Sequence, residues 1–280
     1  MRTLRWVLLA CVATLLAGCG SGGGSGDIAL PKAKTVHLVD VRPVGTVEPG
    51  KPFVLSFRIQ NPDGSTLTTY KTGPGPHTGV HVIIVRRDLS SIVHLHPKPA
   101  ADGTVRQVVT LPTAGPYQAL IDVYATIPGQ PFPNFQLHRN IRVAGSYTPR
   151  PLPPFKRVVV DKGYTFRLTT SPRIASLTAA PVVVHVTGPD GKPARFTPWF
   201  GALAHAIFFK PGTLYYFHTH VCSPDAPNCA GRAGAPTTRT TKPGLIDARA
   251  ILPVAGTWQL FVQGRVDGHV LTAPFTLRAS

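Results

Sequence analysis

Apolar residues in this chain come in runs of only four to eight, and nearly every run ends at proline, glycine or an Asn/Asp-Gly turn rather than at a helix cap. Runs that short, rich in Val, Ile, Phe and Tyr, predict strands. In the first half they fall at Val36–Val41, Phe53–Gln60, Val80–Val85, Ile92–His96, Val105–Leu111 and Tyr117–Tyr124. In the second half they fall at Val158–Val160, Tyr164–Thr169, Val182–Thr187, His205–Phe209, Leu214–His220, Leu245–Leu252 and Trp258–Gln263.

The two halves repeat one another. Asn61-Pro-Asp-Gly matches Gly188-Pro-Asp-Gly, and the segment around Leu111, Tyr117 and Gln118 matches that around Leu252, Trp258 and Gln259. The second copy carries about seventeen extra residues, including Cys222 and Cys229. The pattern predicts an all-β chain of two tandem antiparallel β-sandwich domains, residues 35–147 and 157–280, of immunoglobulin-like or cupredoxin-like topology. A proline-rich linker, residues 148–156, separates them.

Composition changes the picture at the N-terminus first. Arg2 and Arg5 precede an apolar stretch, Trp6 to Ala17, too short for a comfortable membrane span. It ends in Leu16-Ala-Gly-Cys19 and a Gly/Ser run. This resembles the lipobox of bacterial lipoproteins, which implies a signal peptide over residues 1–18, lipidation of Cys19 and a flexible tether over residues 19–34. The implied location is the extracytoplasmic face of the cell membrane. Loss of the signal leaves 27 basic against 12 acidic residues, about +15. That charge favours anionic surfaces such as lipid headgroups and envelope polymers. The basic residues are scattered singly and no nucleic-acid motif is present, so no nucleic-acid partner is expected. No particular protein partner can be read. Outside the cytoplasm, Cys222 and Cys229 are expected to form a disulfide.

The candidate chemistry lies in histidine. His81, His94 and His96 recur as His205, His218 and His220, with identical internal spacing, 124 residues later. Each triplet spans a predicted hairpin. The first histidine is separated from the other two by odd numbers of residues, thirteen and fifteen, so a hairpin with an even loop puts all three on one sheet face. A first loop centred between Asp88 and Leu89 sets His81 opposite His96. In the second, a two-residue Pro211-Gly212 turn sets His205 opposite His218. Three imidazoles on one face suit a tri-histidine metal site. His77 is a weaker candidate for a fourth ligand, because the second copy has Trp199-Phe-Gly201 there. Cys222 continues the alternation of His218 and His220, which makes a thiolate ligand the alternative to its disulfide. His37, His138, His185 and His269 are isolated and are expected to be structural.

The segment from Gly79 to Pro97, with a strand-opening histidine, an Arg-x-Asp-Leu turn and a closing His-x-His-Pro, resembles a motif of bacterial extracytoplasmic β-domain proteins. Some of these are associated with copper or other heavy metals. Val80 stands where a methionine often precedes the first histidine there, and Ile92 where an aromatic is common. The second copy departs further, at Lys210-Pro-Gly and Val221.

The resemblance and the triplets imply metal handling, delivery or sensing. Because Met1 is the only methionine, thioether ligation of Cu(I) is absent and Cu(II) or Zn(II) is favoured. The alternative is a non-catalytic envelope adhesion or scaffold protein whose histidines order the hairpins. No catalytic dyad, paired carboxylates or phosphate loop can be read, so an enzyme is not expected.

Overall fold

A computed structural model describes residues 35–73, 75–127, 134–224, 229 and 237–280. The signal segment 1–18, Cys19 and the tether 19–34 lie outside the described residues. Lys34–Ser280 form one compact unit, and every regular element among the described residues is a strand. The first half contains β1 (His37–Arg42), β2 (Pro52–Gln60), β3 (Gly79–Arg86), β4 (Ile92–Leu95), β5 (Val105–Thr110), β6 (Gly115–Tyr124) and β7 (Asn134–Val143). The second contains β8 (Val158–Asp161), β9 (Tyr164–Leu168), β10 (Arg173–Ile174), β11 (Ala180–Thr187), β12 (Ala204–Lys210), β13 (Tyr215–Cys222), β14 (Thr238–Arg239), β15 (Leu245–Ala250), β16 (Gly256–Val266) and β17 (His269–Ala279).

Each half is a sandwich with its own core. In the first, sheet β1-β2-β5 faces sheet β4-β3-β6-β7 across Leu55, Phe57, Val82, Ile84, Val109 and Ile121. In the second, β15-β11-β9-β8 faces a six-stranded sheet whose order is β10-β17-β16-β12-β13-β14, across Phe166, Val184, Phe208, Ala248 and Leu260. The orders β4-β3-β6-β7 and β13-β12-β16-β17 are the same arrangement twice. At the start of β6 the Tyr117 hydroxyl donates to the Thr113 carbonyl at 3.1 Å. This is the tyrosine corner of immunoglobulin-like sandwiches. At the equivalent place in β16, Trp258 Nε1 donates to the Val254 carbonyl at 2.9 Å. Sheet order and corner together select the immunoglobulin-like topology over the cupredoxin-like one.

The sequence pattern misses β7 and β17, the edge-ward partners of β6 and β16, as well as the two-residue β10 and β14. It also misreads the second turn. The β12–β13 hairpin closes through four residues, Pro211 to Leu214, with Lys210 paired to Tyr215. His205 therefore sits opposite His220, not His218. Leu214 adopts a left-handed φ of 55° and is buried rather than starting the strand. Its isobutyl group gains more in the apolar interface than the backbone loses to strain. The first hairpin also closes through four residues, with Val82 paired to Leu95, which brings His81 level with His96.

A third apolar cluster lies between the sandwiches: Ile83, Val85, Leu89, Ile207, Phe209, Leu214, Tyr216 and Phe261. Strand alternation accounts for it. In β3, Val80, Val82 and Ile84 enter the first core, while His81, Ile83 and Val85 face the other half. In β12, Ala204, Ala206 and Phe208 enter the second core, while His205, Ile207 and Phe209 face back. Both faces of these strands are buried, which is why they read as unbroken apolar runs. The linker lies against this region: Leu152 packs on the third cluster, and the Arg150 amide donates to Asp88 Oδ2 at 3.0 Å.

Candidate metal centre

Both triplets project from the faces that pack together, so all six histidines meet in one place between the sandwiches. His81, His94, His205 and His220 are buried; His96 and His218 are half-buried. Across the interface, the His94 ring centroid lies 4.8 Å from that of His205 and 5.2 Å from that of His218. The His81 and His218 rings are 6.2 Å apart. Within the first hairpin His81 stacks on His96 at 3.7 Å.

The ligand atoms are close enough to share an ion. His94 Nε2 is 3.2 Å from His96 Nε2, and His205 Nδ1 is 3.1 Å from His218 Nε2. An ion bound tetrahedrally at about 2.0–2.1 Å from nitrogen separates its ligands by about 3.3 Å. Three sets of ligand atoms lie within 4.8 Å of one another: His81, His94 and His96; His94, His205 and His218; and His81, Asp122 and His218. Two of the three cross the interface, and His220 belongs to none of them.

Hydrogen bonds orient some of these rings. Gln263 Nε2 donates to Thr272 Oγ1 at 3.0 Å, which leaves Oε1 to accept from His94 Nδ1 at 3.2 Å. His205 Nε2 donates to the Trp199 carbonyl at 3.0 Å. Each bond pins one nitrogen by a protein acceptor and leaves a lone pair on the other, the usual state of a metal-ligating imidazole. Both nitrogens of His81 and of His220 are buried and make no hydrogen bond of normal geometry among the described residues. Burial, followed by the mutual repulsion of the rings, pushes the titration of His81, His94, His96, His218 and His220 well below the usual imidazole range. Burial lowers that of His205 and His77 to about 4. The cluster is therefore neutral at pH 7, the form that binds metal.

Asp122 was not foreseen. It is paired in register with His81 on β6 and is 4% exposed. Its Oδ2 accepts a hydrogen bond from the Tyr216 hydroxyl at 3.0 Å, while Oδ1 is buried with no bond of normal geometry, and the Gln136 side chain, paired in register on β7, lies near the carboxylate. Burial raises its titration to about 6. The signal in the sequence was an acid in the middle of an apolar strand, Leu120-Ile-Asp-Val-Tyr124. Gln263 holds the same place in the second half, paired in register with His205.

The loops over the cluster also differ between the halves. His77 is buried, with its ring 5.0 Å from that of His220. Opposite it, Trp199 and Phe200 cover the other side, Phe200 stacking on His96 at 3.8 Å and Trp199 lying 5.2 Å from His94. The two loops touch at Gly75 and Gly201. A Cβ on Gly201, whose φ is +76°, would come within 2.3 Å of the Gly75 carbonyl carbon, so glycine is required there. His37, His138, His185 and His269 are exposed on other surfaces. Cys222 and Cys229 are joined in a disulfide with Cα atoms 5.8 Å apart, which leaves neither as a thiolate ligand.

Residues 157–280, the second sandwich, match a family described as a domain of unknown function, DUF8832. No curated protein matches the chain. Among solved structures, an alpha-2-macroglobulin of Salmonella is 12% identical over 88% of this chain and 15% of its own, with a TM-score of 0.26. Invasin, a bacterial integrin-binding protein, is 14% identical over 88% of this chain and 39% of its own, with a TM-score of 0.23. Fibronectin(III)-like modules of Clostridium thermocellum are 13% identical over 88% of this chain and 93% of their own, with a TM-score of 0.21. The chain thus spans less than half of the first two. At such scores the sandwich assignment rests on the sheet order and corner residues of this chain.

Proposed function

We propose that this chain is a lipid-anchored, extracytoplasmic metal-binding protein that holds a divalent transition metal between its two sandwiches and acts in metal handling, delivery or sensing. The observation that carries this reading is the convergence of both histidine triplets, buried or half-buried, on one interdomain place with ligand-like nitrogen separations. Imidazole ligation without methionine favours Cu(II) or Zn(II). Because two of the three ligand sets cross the interface, one shared centre accounts for the geometry better than one ion per triplet.

The test is titration calorimetry of Cu(II) and Zn(II) into the purified chelator-treated protein, with elemental analysis after dialysis. Binding of one ion is expected. Replacing either His81 and His96 or His218 and His220 by Ala should abolish it, because both hairpins supply ligands. Two independent sites would each survive loss of the other pair. If the wild-type protein binds no more tightly than the variant lacking all four, metal binding is excluded.

A second reading has an observation of its own. The bonds from His205 to the Trp199 carbonyl and from His94 to Gln263, together with the ring stacking, are also what a purely structural cluster in an envelope scaffold would need. On that reading the melting temperature is indifferent to metal.

The anchoring proposal stands on Leu16-Ala-Gly-Cys19. Cys19→Ala should release the protein from the membrane fraction or leave the precursor uncleaved, as fractionation and mass spectrometry would show. Unchanged association and processing would remove it. The surplus of positive charge is then suited to anionic headgroups and envelope polymers near the anchor.

A further inference from the structure

Contacts across the interface are reciprocal. His81 and His205 are equivalent, as are His94 and His218, and so are Asp122 and Gln263, each paired in register with the first histidine of its own half. The contact of His94 with His205 has its counterpart in that of His218 with His81. Likewise, Gln263 bonds His94 while Asp122 groups with His218. Such reciprocity is the mark of an isologous interface. It generates two equivalent positions for a ligand: one bounded by His81, Asp122 and His218, the other by His205, Gln263 and His94.

The two positions differ in what they leave unsatisfied. Beside Gln263 the polar atoms are engaged: its amide oxygen by His94, its nitrogen by Thr272, and His205 Nε2 by the Trp199 carbonyl. Beside Asp122 they are held more loosely. Both nitrogens of His81 and Oδ1 of Asp122 are buried and make no hydrogen bond of normal geometry among the described residues; the Thr78 and Pro76 backbone lies near the His81 ring and the Gln136 side chain near the carboxylate, while Tyr216 bonds the other carboxylate oxygen. A dication enclosed among neutral imidazoles also needs an anion nearby. Asp122 is the acid that the described cluster provides.

Building on the metal-binding reading, we infer that the ion sits on the Asp122 side, ligated by His81, Asp122 Oδ1 and His218, and that Gln263 closes the equivalent position on the other side. Asp122 is thus a ligand, and its charge decides which of two matching pockets is filled.

The experiment uses the purified full-length protein in detergent, with Zn(II) and Cu(II) as probes. Asp122→Asn preserves shape and the bond from Tyr216. It is expected to weaken binding on the order of 100-fold or more and to abolish the metal-induced rise in melting temperature, while the metal-free protein melts no lower than wild type. Adding Gln263→Glu to that variant moves the carboxylate to the equivalent pocket and is expected to recover most of the affinity. Wild-type binding with an unchanged Kd in Asp122→Asn would overturn the ligand assignment while leaving the proposed function standing. Failure of the double variant to recover would overturn the equivalence of the two pockets. Absence of binding by the wild-type protein would instead strike the proposed function itself.

Discussion

Acidifying the metal-free protein from pH 7 to pH 4 is expected to cost it most of its stability. The buried histidines titrate near 6.5 in the unfolded chain and well below that when folded. The unfolded state therefore binds more protons, and stability falls as pH drops below about 6.5. His77 and His205, both lowered to about 4 by burial, correspond to about 3 kcal/mol each once the pH has passed below the folded value. His81, His94, His96, His218 and His220 are shifted in the same direction. Asp122 acts oppositely. Its titration is raised to about 6, so its burial costs stability above that pH and returns about 3 kcal/mol on acidification. The histidines outnumber it, and a domain of ordinary stability, about 5–15 kcal/mol, has little to spare. Thermal melts in a pH series would show the midpoint falling steeply between pH 6.5 and 4, with Zn(II) or Cu(II) moving that fall to lower pH. A midpoint flat down to pH 4.5 would mean that the rings are not buried together.

Phe209→Ala is expected to destabilise the protein by about 3–5 kcal/mol. Its ring is fully buried between the sandwiches rather than inside either, with the Tyr216 ring at 5.4 Å and that of Phe261 at 6.2 Å. The cavity would open in the apolar cluster between the sandwiches while the cores around Phe57 and Phe208 stay intact. Calorimetry should then resolve one transition into two, as the halves lose their grip on one another, and metal affinity should fall with it. A single transition displaced by less than the equivalent of about 1 kcal/mol would show that the interface contributes little to stability.

The sandwich class was legible because the cores are written in alternation, as in Val80, Val82 and Ile84 against His81, Ile83 and Val85. The common face of each triplet was legible too, since every loop with an even number of residues keeps the same parity, and both hairpins close that way. What escaped was whatever depends on contacts between elements. The strand β7 alternates exposed and half-buried residues over most of its length, with apolar positions at Phe135, Leu137, Ile141 and Val143 only, and β17 carries Pro274 in its middle. Neither resembles a strand until β6 and β16 supply partners. The second turn was misread because Pro211-Gly212 is a good two-residue turn locally, and the burial of Leu214 that overrides it is a tertiary effect. That the two histidine faces meet was invisible for the same reason: nothing in either half names its partner. Asp122 follows from that, since a carboxylate in an apolar strand has a reason only once the opposing rings are in place.

The reciprocal interface has a consequence for how such a molecule can change. Two separate identical subunits meeting in this way would carry the residue at the Asp122 position twice or not at all, so the buried centre would hold two negative charges or none. Joining the copies in one polypeptide removes that constraint, because each can be altered alone. The linker also keeps the faces at a high effective concentration, so the pair need not be rebuilt by diffusion each time it opens. The chain has used that freedom: aspartate stands on one side of the interface and glutamine on the other. An odd charge at a two-fold junction is available only to a tethered pair, and it suits a single dication with a single counter-charge.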